Sequence, residues 1–232
     1  MTTVSAIIPV YNDAAYLAEA LDSVFGQTRP PEQVIVVDDG STDGSFAIAQ
    51  GYGSRIVLLQ QRNQGISSAR NTGVAAAGGD LIAFLDADDM WPVDSLERRL
   101  AALEANPELE AVYGYTEQFI SPEVDPEIAQ RLHCPEGQAA ARFAGAMLLR
   151  RRLFETVGMF DLKLRVGETI DWALRLDDSG ARVTVIEALV MRRRIHGDNT
   201  TVNQKASRND YLTALRASLA RKAALQAQKE PS

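Results

Sequence analysis

Asp86-Ala87-Asp88-Asp89 places three carboxylates within four residues, directly after the apolar run Leu81 to Leu85. Like charges this close repel unless a cation or hydrogen-bond donors compensate. Carboxylates with open positions suit Mg2+ or Mn2+, cations that keep part of their shell for substrate phosphates. Spacing of two along an extended chain points Asp86 and Asp88 the same way. Asp89 is open to a second role, capping the helix that begins after Trp91-Pro92. Two other apolar runs end in polar residues, Pro9-Val10-Tyr11-Asn12 and Val37-Asp38-Asp39-Gly40-Ser41. In open α/β sheets ligands bind where the carboxyl ends of strands converge, so the three ends are expected to meet.

The elements that must carry these ends alternate short apolar runs with helical patterns, the signature of βαβ units and a mainly parallel sheet. Strands are expected over Val4 to Val10, Gln33 to Asp39, Arg55 to Gln60, Leu81 to Leu85 and Leu109 to Tyr115. Val34-Ile35-Val36-Val37 has no polar alternation, as expected of a strand covered on both faces. Between the strands, Asn12 or Asp13 is expected to cap a helix with Leu17, Leu21, Val24 and Phe25 on its apolar face. A short helix follows the turn Gly40 to Gly44, Ser67 to Ala77 forms another that Gly78-Gly79 stops, and Val93 to Glu104 carries Leu96, Leu100 and Leu103 on one side. The later chain reads as a loop region from Ile120 to Gly137 with one helical turn, then a short strand at Ala146 to Leu149 and a helix at Arg152 to Val157. Beyond these come a helix at Thr169 to Ser179, strands at Val183 to Ile186 and Leu189 to Arg193, and a terminal helix over Ser207 to Gln226.

With 232 residues, 46% hydrophobic and 24% charged, the chain has the composition of a folded globular protein rather than a disordered or fibrous one. Its net charge of −7 repels nucleic acid, so no nucleic-acid partner is expected. The basic runs Arg150-Arg151-Arg152 and Arg192-Arg193-Arg194 are local candidates for anion contacts or solvated element ends. One cysteine, Cys134, excludes an internal disulfide and a cysteine-rich zinc site. No run reaches the roughly 18–20 apolar residues of a membrane span, and the N-terminus lacks the basic and apolar pattern of a signal peptide. A cytoplasmic location, with room for peripheral contact at a membrane, is the expectation.

Four segments occur in order: Ile7-Ile8-Pro9-Val10-Tyr11-Asn12, Val36-Val37-Asp38-Asp39-Gly40-Ser41-Thr42-Asp43, Asn63-Gln64-Gly65-Ile66-Ser67-Ser68-Ala69-Arg70-Asn71-Thr72-Gly73, and Phe84-Leu85-Asp86-Ala87-Asp88-Asp89. Together they resemble family 2 glycosyltransferases of the GT-A fold. The resemblance implies a Rossmann-like α/β/α sandwich with a mainly parallel central sheet and a C-terminal helix. It divides the chain into a donor-binding lobe at 1–115, an acceptor-binding and catalytic lobe sharing the sheet at 116–204, and a helix at 205–232.

The implied reaction moves a sugar from a nucleoside-diphosphate sugar to an acceptor with inversion, aided by Mn2+ or Mg2+. Pro9, Tyr11 and Asn12 would line the nucleotide pocket, and Asp39 would accept from the base edge. Arg70 would contact nucleotide or diphosphate. Asp86, Ala87 and Asp88 match the family's metal motif, an Asp-x-Asp, with Asp88 the direct ligand. His196 in Arg194-Ile195-His196-Gly197-Asp198-Asn199 would approach the metal or diphosphate. Gly158-Met159-Phe160-Asp161 resembles the turn that precedes the family's acceptor-side acids. There Gly167-Glu168-Thr169-Ile170-Asp171-Trp172 has Thr169 where members often carry the second acid of a Glu-Asp pair. A threonine cannot serve as base, so the role falls to Glu168 or to Asp171, three residues on and on the same helix face. Asp171 also has Arg175 one turn away as an ion-pair partner.

The acceptor, whether saccharide, lipid-linked molecule or peptide, is not legible, nor are the sugar and the nucleotide. Thr169 leaves room for a second reading, a catalytically silent nucleotide-sugar-binding or scaffold protein. A nucleotidyltransferase would need a glycine-rich basic signature after the first strand, a dinucleotide oxidoreductase a Gly-x-Gly-x-x-Gly, and a serine hydrolase a Gly-x-Ser-x-Gly; the chain has none of these. On the terminal helix, Tyr211, Leu212, Leu215, Leu219 and Leu225 provide an apolar stripe for packing or for a homodimer.

Overall fold

The computed structural model of the chain describes residues 2–164, 166–197, 199, 216, 218, 219 and 221. The expected terminal helix and its dimer stripe lie outside the described residues except at Arg216, Ser218, Leu219 and Arg221, which are helical. Eight strands form one sheet: β1 (Val4–Val10), β2 (Gln33–Asp38), β3 (Val57–Gln60), β4 (Leu81–Phe84), β5 (Ala111–Ile120), β6 (Gln138–Ala140), β7 (Met147–Arg150) and β8 (Val183–Ile195). The order is β3-β2-β1-β4-β7-β5-β6, with β8 alongside β5. Four pairings are parallel and three, all involving β6 or β7, are antiparallel. Helices α1 (Leu17–Phe25), α2 (Ser45–Gly51), α3 (Ile66–Ala76), α4 (Ser95–Ala105), α5 (Pro126–Ala129), α6 (Leu153–Thr156) and α7 (Glu168–Asp178) connect them. No helix among the described residues is long and apolar enough to cross a membrane.

Every residue of β1 is buried, because successive side chains feed opposite faces and both faces are covered. Ala6, Ile8 and Val10 pack with Leu17, Leu21 and Val24 of α1 and with Leu96, Leu100 and Leu103 of α4. Ile7, with Ile35, Val37 and Phe84, joins Ala69 and Val74 of α3 and the aromatic group Phe154, Phe160 and Trp172. The strands are therefore fixed between two cores, and their carboxyl ends emerge at one edge.

Several boundaries differ from the sequence reading. Residues 183–186 and 189–193 belong to a single strand, β8, whose register against β5 shifts between Tyr113 and Thr116. That irregularity breaks the alternation at Glu187-Ala188 and makes one strand read as two. β3 begins at Val57, because Gly53–Arg55 is a 3-10 turn. β5 runs through the 115/116 boundary between the expected lobes. Neither Asn12 nor Asp13 caps α1 with its side chain; the helix starts at Leu17, whose N–H reaches the Asp13 carbonyl at 2.9 Å.

Gly73 sets how closely α3 approaches the sheet. A Cβ there would lie 2.3 Å from Ile7 Cγ2, inside a fully buried layer. Gly73→Ala is expected to lower stability by roughly 1–3 kcal/mol, the usual cost of overpacking. An unchanged denaturant midpoint would show that α3 can shift freely.

Candidate active site

The chain leaving β4 turns instead of extending. The Asp89 N–H donates to the Asp86 carbonyl at 3.0 Å, so the segment is a turn and not the extended chain from which the spacing argument starts. Each carboxylate meets different partners. Asp86 Oδ1 accepts from Arg70 Nη2 at 2.6 Å. Asp88 Oδ2 accepts from Asn199 Nδ2 at 3.0 Å and lies 3.2 Å from His196 Nε2. Asp89, buried, accepts from the Arg194 N–H at 2.9 Å and so holds β8 in place of capping the next helix. α4 begins only at Ser95, after Asp94.

Among the described residues, Asp86 Oδ2 and Asp88 Oδ1 carry no hydrogen bond. Their side chains are partly exposed, at 34% and 22%. No three of the described His, Cys, Asp and Glu side chains converge as a metal cage. His196, expected to approach the metal or the diphosphate, has its ring beside Asp88. The donor set fits a cation that needs one or two carboxylates and takes its remaining ligands from phosphate and water.

Charge on this edge is one-sided. Asp13 lies near Asp86 and Asp88; burial, then repulsion from Asp88, raises its carboxyl from 3.8 to about 7. Burial, followed by Asp88 and Asp86, also raises Asp89. His196 is fixed from three sides: its N–H donates to Asn199 Oδ1 at 2.6 Å, its ring meets Asp88, and the Tyr16 ring lies 4.7 Å away. Asp13, Tyr16 and Asn199 were absent from the expected site. Only Asn199 left a signal, standing three residues after the histidine.

Arg70 is the second centre. Its side chain is 2% exposed, with Nη2 on Asp86 and Nη1 on Glu168 Oε1 at 2.5 Å and on Thr169 Oγ1 at 3.1 Å. Both neighbouring carboxylates hold its pKa up against burial, which acts first and in the opposite direction. The expected contact of Arg70 with a nucleotide or diphosphate is thus not made by an exposed guanidinium. Asn71, next in the chain, clips the Phe160 backbone from both sides, at 2.9 and 3.0 Å. α3 is thereby tied to the segment that leads into α7. Asp171 does pair with Arg175, at 2.8 Å, and Arg175 also binds the carbonyls of Val157 and Met159. Asp171 therefore braces that segment, whereas Glu168 shares its arginine with Asp86.

On the nucleotide side, Pro9 is buried opposite Val37 and Tyr11 is 47% exposed. Asn12 adopts φ 58° and accepts from the Thr42 N–H at 2.7 Å. Both oxygens of Asp39 are engaged, accepting from Gln61 Nε2 and from the N–H groups of Gln64 and Gly65 at 2.7–2.9 Å. Asp39 thus shapes the loop that starts α3. Beside it an open pocket of about 500 Å3 is lined by Gly40, Gln60, Gln61, Arg62 and Asn63. The basic runs are not free anion sites. Arg194 is buried on Asp89, Ser121, Glu19 and the Asp88 carbonyl; Arg150 and Arg151 bind backbone carbonyls, and Arg152 meets Glu110.

An open, mostly parallel sheet with helices on both faces and carboxylates gathered at its carboxyl edge defines a GT-A-type fold. The chain belongs to glycosyl transferase family 2, whose model matches residues 5–158. It is 31% identical over 228 residues to the uncharacterized glycosyltransferase EpsJ of Bacillus subtilis (strain 168), covering 90% of this chain and 66% of that protein. A Rickettsia prowazekii (strain Madrid E) glycosyltransferase, RP339, is 29% identical over 218 residues, covering 85% of this chain and 65% of its own. The chain thus spans just under two thirds of the length of these relatives. Among solved structures, S. aureus TarS 1–349 in complex with UDP-GlcNAc superposes with a TM-score of 0.75 at 18% identity, covering 94% of this chain and 66% of that one.

Asp13 yields a pH prediction. Its folded pKa lies above its unfolded one, so the folded state binds the proton more tightly, and this contribution is full below the ordinary 3.8 and lost as pH rises through about 7. In EDTA, thermal melts of Asp13→Asn should fall less than wild type across that window. Parallel curves would show that Asp13 ionises freely.

Proposed function

We propose that the chain transfers a sugar from a nucleoside-diphosphate sugar to an acceptor hydroxyl with inversion, using Glu168 as general base. The observation that carries this reading is the bridge Asp86–Arg70–Glu168, which sets a carboxylate for the acceptor a guanidinium's width from the acidic turn that faces the donor. The complexes of TarS with UDP and UDP-GlcNAc support a uridine-diphosphate donor. Asp86 and Asp88 would hold Mn2+ or Mg2+ through their open oxygens, with His196 and Asn199 orienting Asp88. The cation, when bound, supplies positive charge to the departing diphosphate.

The chain's own residues do the rest. The pocket beside Gly40 and Gln61 takes the base, and Tyr11 and Asn12 contribute to the same nucleotide. Glu168 Oε2, which bears no hydrogen bond among the described residues, takes the acceptor proton. As that proton leaves, the acceptor oxygen bonds to the anomeric carbon; the bond from that carbon to the phosphate oxygen breaks, and its electron pair departs with the diphosphate. One displacement on one face inverts the centre. Residues beyond 116 would face the acceptor, and the part of the relatives' length outside this chain leaves the acceptor's class open.

Thermal shift against a series of nucleotide sugars, with and without Mn2+, tests the donor side. Asp88→Asn should abolish the Mn2+-dependent part of the shift while the protein stays folded; a retained shift would remove Asp88 from the cation site. Glu168→Gln should bind the same nucleotide sugar but lose roughly 10²- to 10⁴-fold in turnover, the usual contribution of a general base. Both base candidates are paired to arginines, which favours a second reading, a silent nucleotide-sugar-binding protein. Donor binding with no turnover by the wild type would establish that reading.

A further inference from the structure

Thr169 occupies a place in α7 that its spacing does not explain. Adjacent helix residues point roughly 100° apart and do not normally touch. A helical threonine commonly returns its hydroxyl to a backbone carbonyl one turn earlier. Here Thr169 Oγ1 lies 3.1 Å from Glu168 Oε1 and 3.1 Å from Arg70 Nη1, and it makes no other hydrogen bond among the described residues. Arg70 Nη1 is itself 2.5 Å from the same Oε1. The three groups close a triangle in which Arg70 donates to both oxygens and the hydroxyl donates to the carboxylate.

We infer that Thr169 is a positioning residue: its hydroxyl, held by Arg70, locks Oε1 of Glu168 so that Oε2 faces the acceptor. The inference rests on Glu168 being the base. With the ion pair alone, the Glu168 carboxylate could swing about its soft terminal torsion; a half-turn only exchanges equivalent oxygens, but the angles between would turn the unbonded oxygen away from the acceptor. A second donor on the same oxygen from a different direction removes that freedom. Charge explains why a hydroxyl serves here. Arg70 already balances Asp86 and Glu168, and its guanidinium is almost fully buried. A carboxylate at 169 would place a third negative charge on one cation, whereas a hydroxyl adds a donor and no charge. The departure from an adjacent acidic pair is thus the neutral half of a base-orienting device.

The test compares Thr169→Val, Thr169→Ser and Glu168→Gln with wild type, using UDP-GlcNAc and the other nucleotide sugars of the thermal-shift series. Thr169→Val should keep the wild-type melting temperature and donor KM but lose on the order of 10- to 100-fold in kcat, the scale of a misplaced reacting group. Thr169→Ser should restore most of it. A merely structural threonine would instead lower the melting temperature or raise KM, and unchanged kcat in the valine variant would overturn the inference. If Glu168→Gln retains full turnover, the base assignment itself fails, a result distinct from a silent Thr169→Val beside a dead Glu168→Gln. Crystal structures of wild type and Thr169→Val decide the geometry without an assay. A Glu168 carboxylate rotated away from its wild-type position in the variant supports the lock, and one that stays in place refutes it.

Discussion

The site depends on one buried cation. Arg70 sits on α3, in the first half of the sequence, and its guanidinium reaches Asp86 after β4 and Glu168 at the start of α7, nearly a hundred residues away. Taking an arginine out of water is costly, and two ionised carboxylates repay that cost only when the geometry is good. Both contacts here are short, and the Phe160 ring lies 5.7 Å from the guanidinium carbon. Nε alone has no partner among the described residues. Removing either carboxylate would leave the other facing a half-paired buried charge, so the turn after β4 and the start of α7 are coupled through Arg70. Gly73 and Asn71 complete this arrangement. The first lets α3 close on Ile7, and the second ties α3 to the Phe160 backbone.

Other arginines play the same structural part, Arg194 of one basic run among them. Arg194 gathers the Asp88 carbonyl, Ser121 and Glu19 with its side chain while its N–H meets Asp89, and its guanidinium lies 4.9 Å from the Tyr16 and Phe119 rings. Tyr16 in turn packs on His196, so β8 carries the histidine to Asp88 with its orientation set. Arg99 is buried with no carboxylate partner among the described residues; it binds the carbonyls of Ser95 and Met147 and faces Trp91. Burial pushes its pKa down to about 9, which leaves it charged at neutral pH. In each case five donors in a planar fork join segments whose own backbone groups would otherwise go unmet.

What was legible in the sequence follows from which interactions are local. β1, β2 and β4 stood out because strands covered on both faces must be apolar throughout, and α4 because Leu96, Leu100 and Leu103 recur at helical spacing. The motif residues around the donor edge also lie together. The split of β8 was misread because its irregular register depends on β5, a partner more than sixty residues distant in the chain. The direction of Asp86, Asp88 and Asp89 was equally hidden. A local turn replaces the extended chain, and their partners Arg70, Arg194 and Asn199 come from α3, from β8 and from the segment after β8. Asp39 shows the same limit. Its type invited a ligand role, and the sequence did not reveal that the fold also brings the Gln64 and Gly65 N–H groups onto its oxygens.

The charge balance also separates the two halves of the site. Around α7, Asp171 faces Arg175 while Glu168 shares Arg70 with Asp86, so three carboxylates meet two guanidinium groups. At the carboxyl edge of the sheet Asp13, Asp86, Asp88 and Asp89 lie together, and burial together with mutual repulsion drives Asp13 and Asp89 toward their protonated forms. An excess of this kind destabilises the empty edge and rewards any cation that arrives with a diphosphate, since the same charge that repels the bare diphosphate attracts its metal complex. Arg70 makes that asymmetry usable. By taking Asp86 from one side and Glu168 from the other, it joins the turn after β4 to the start of α7, and each carboxylate keeps one oxygen without a hydrogen bond among the described residues.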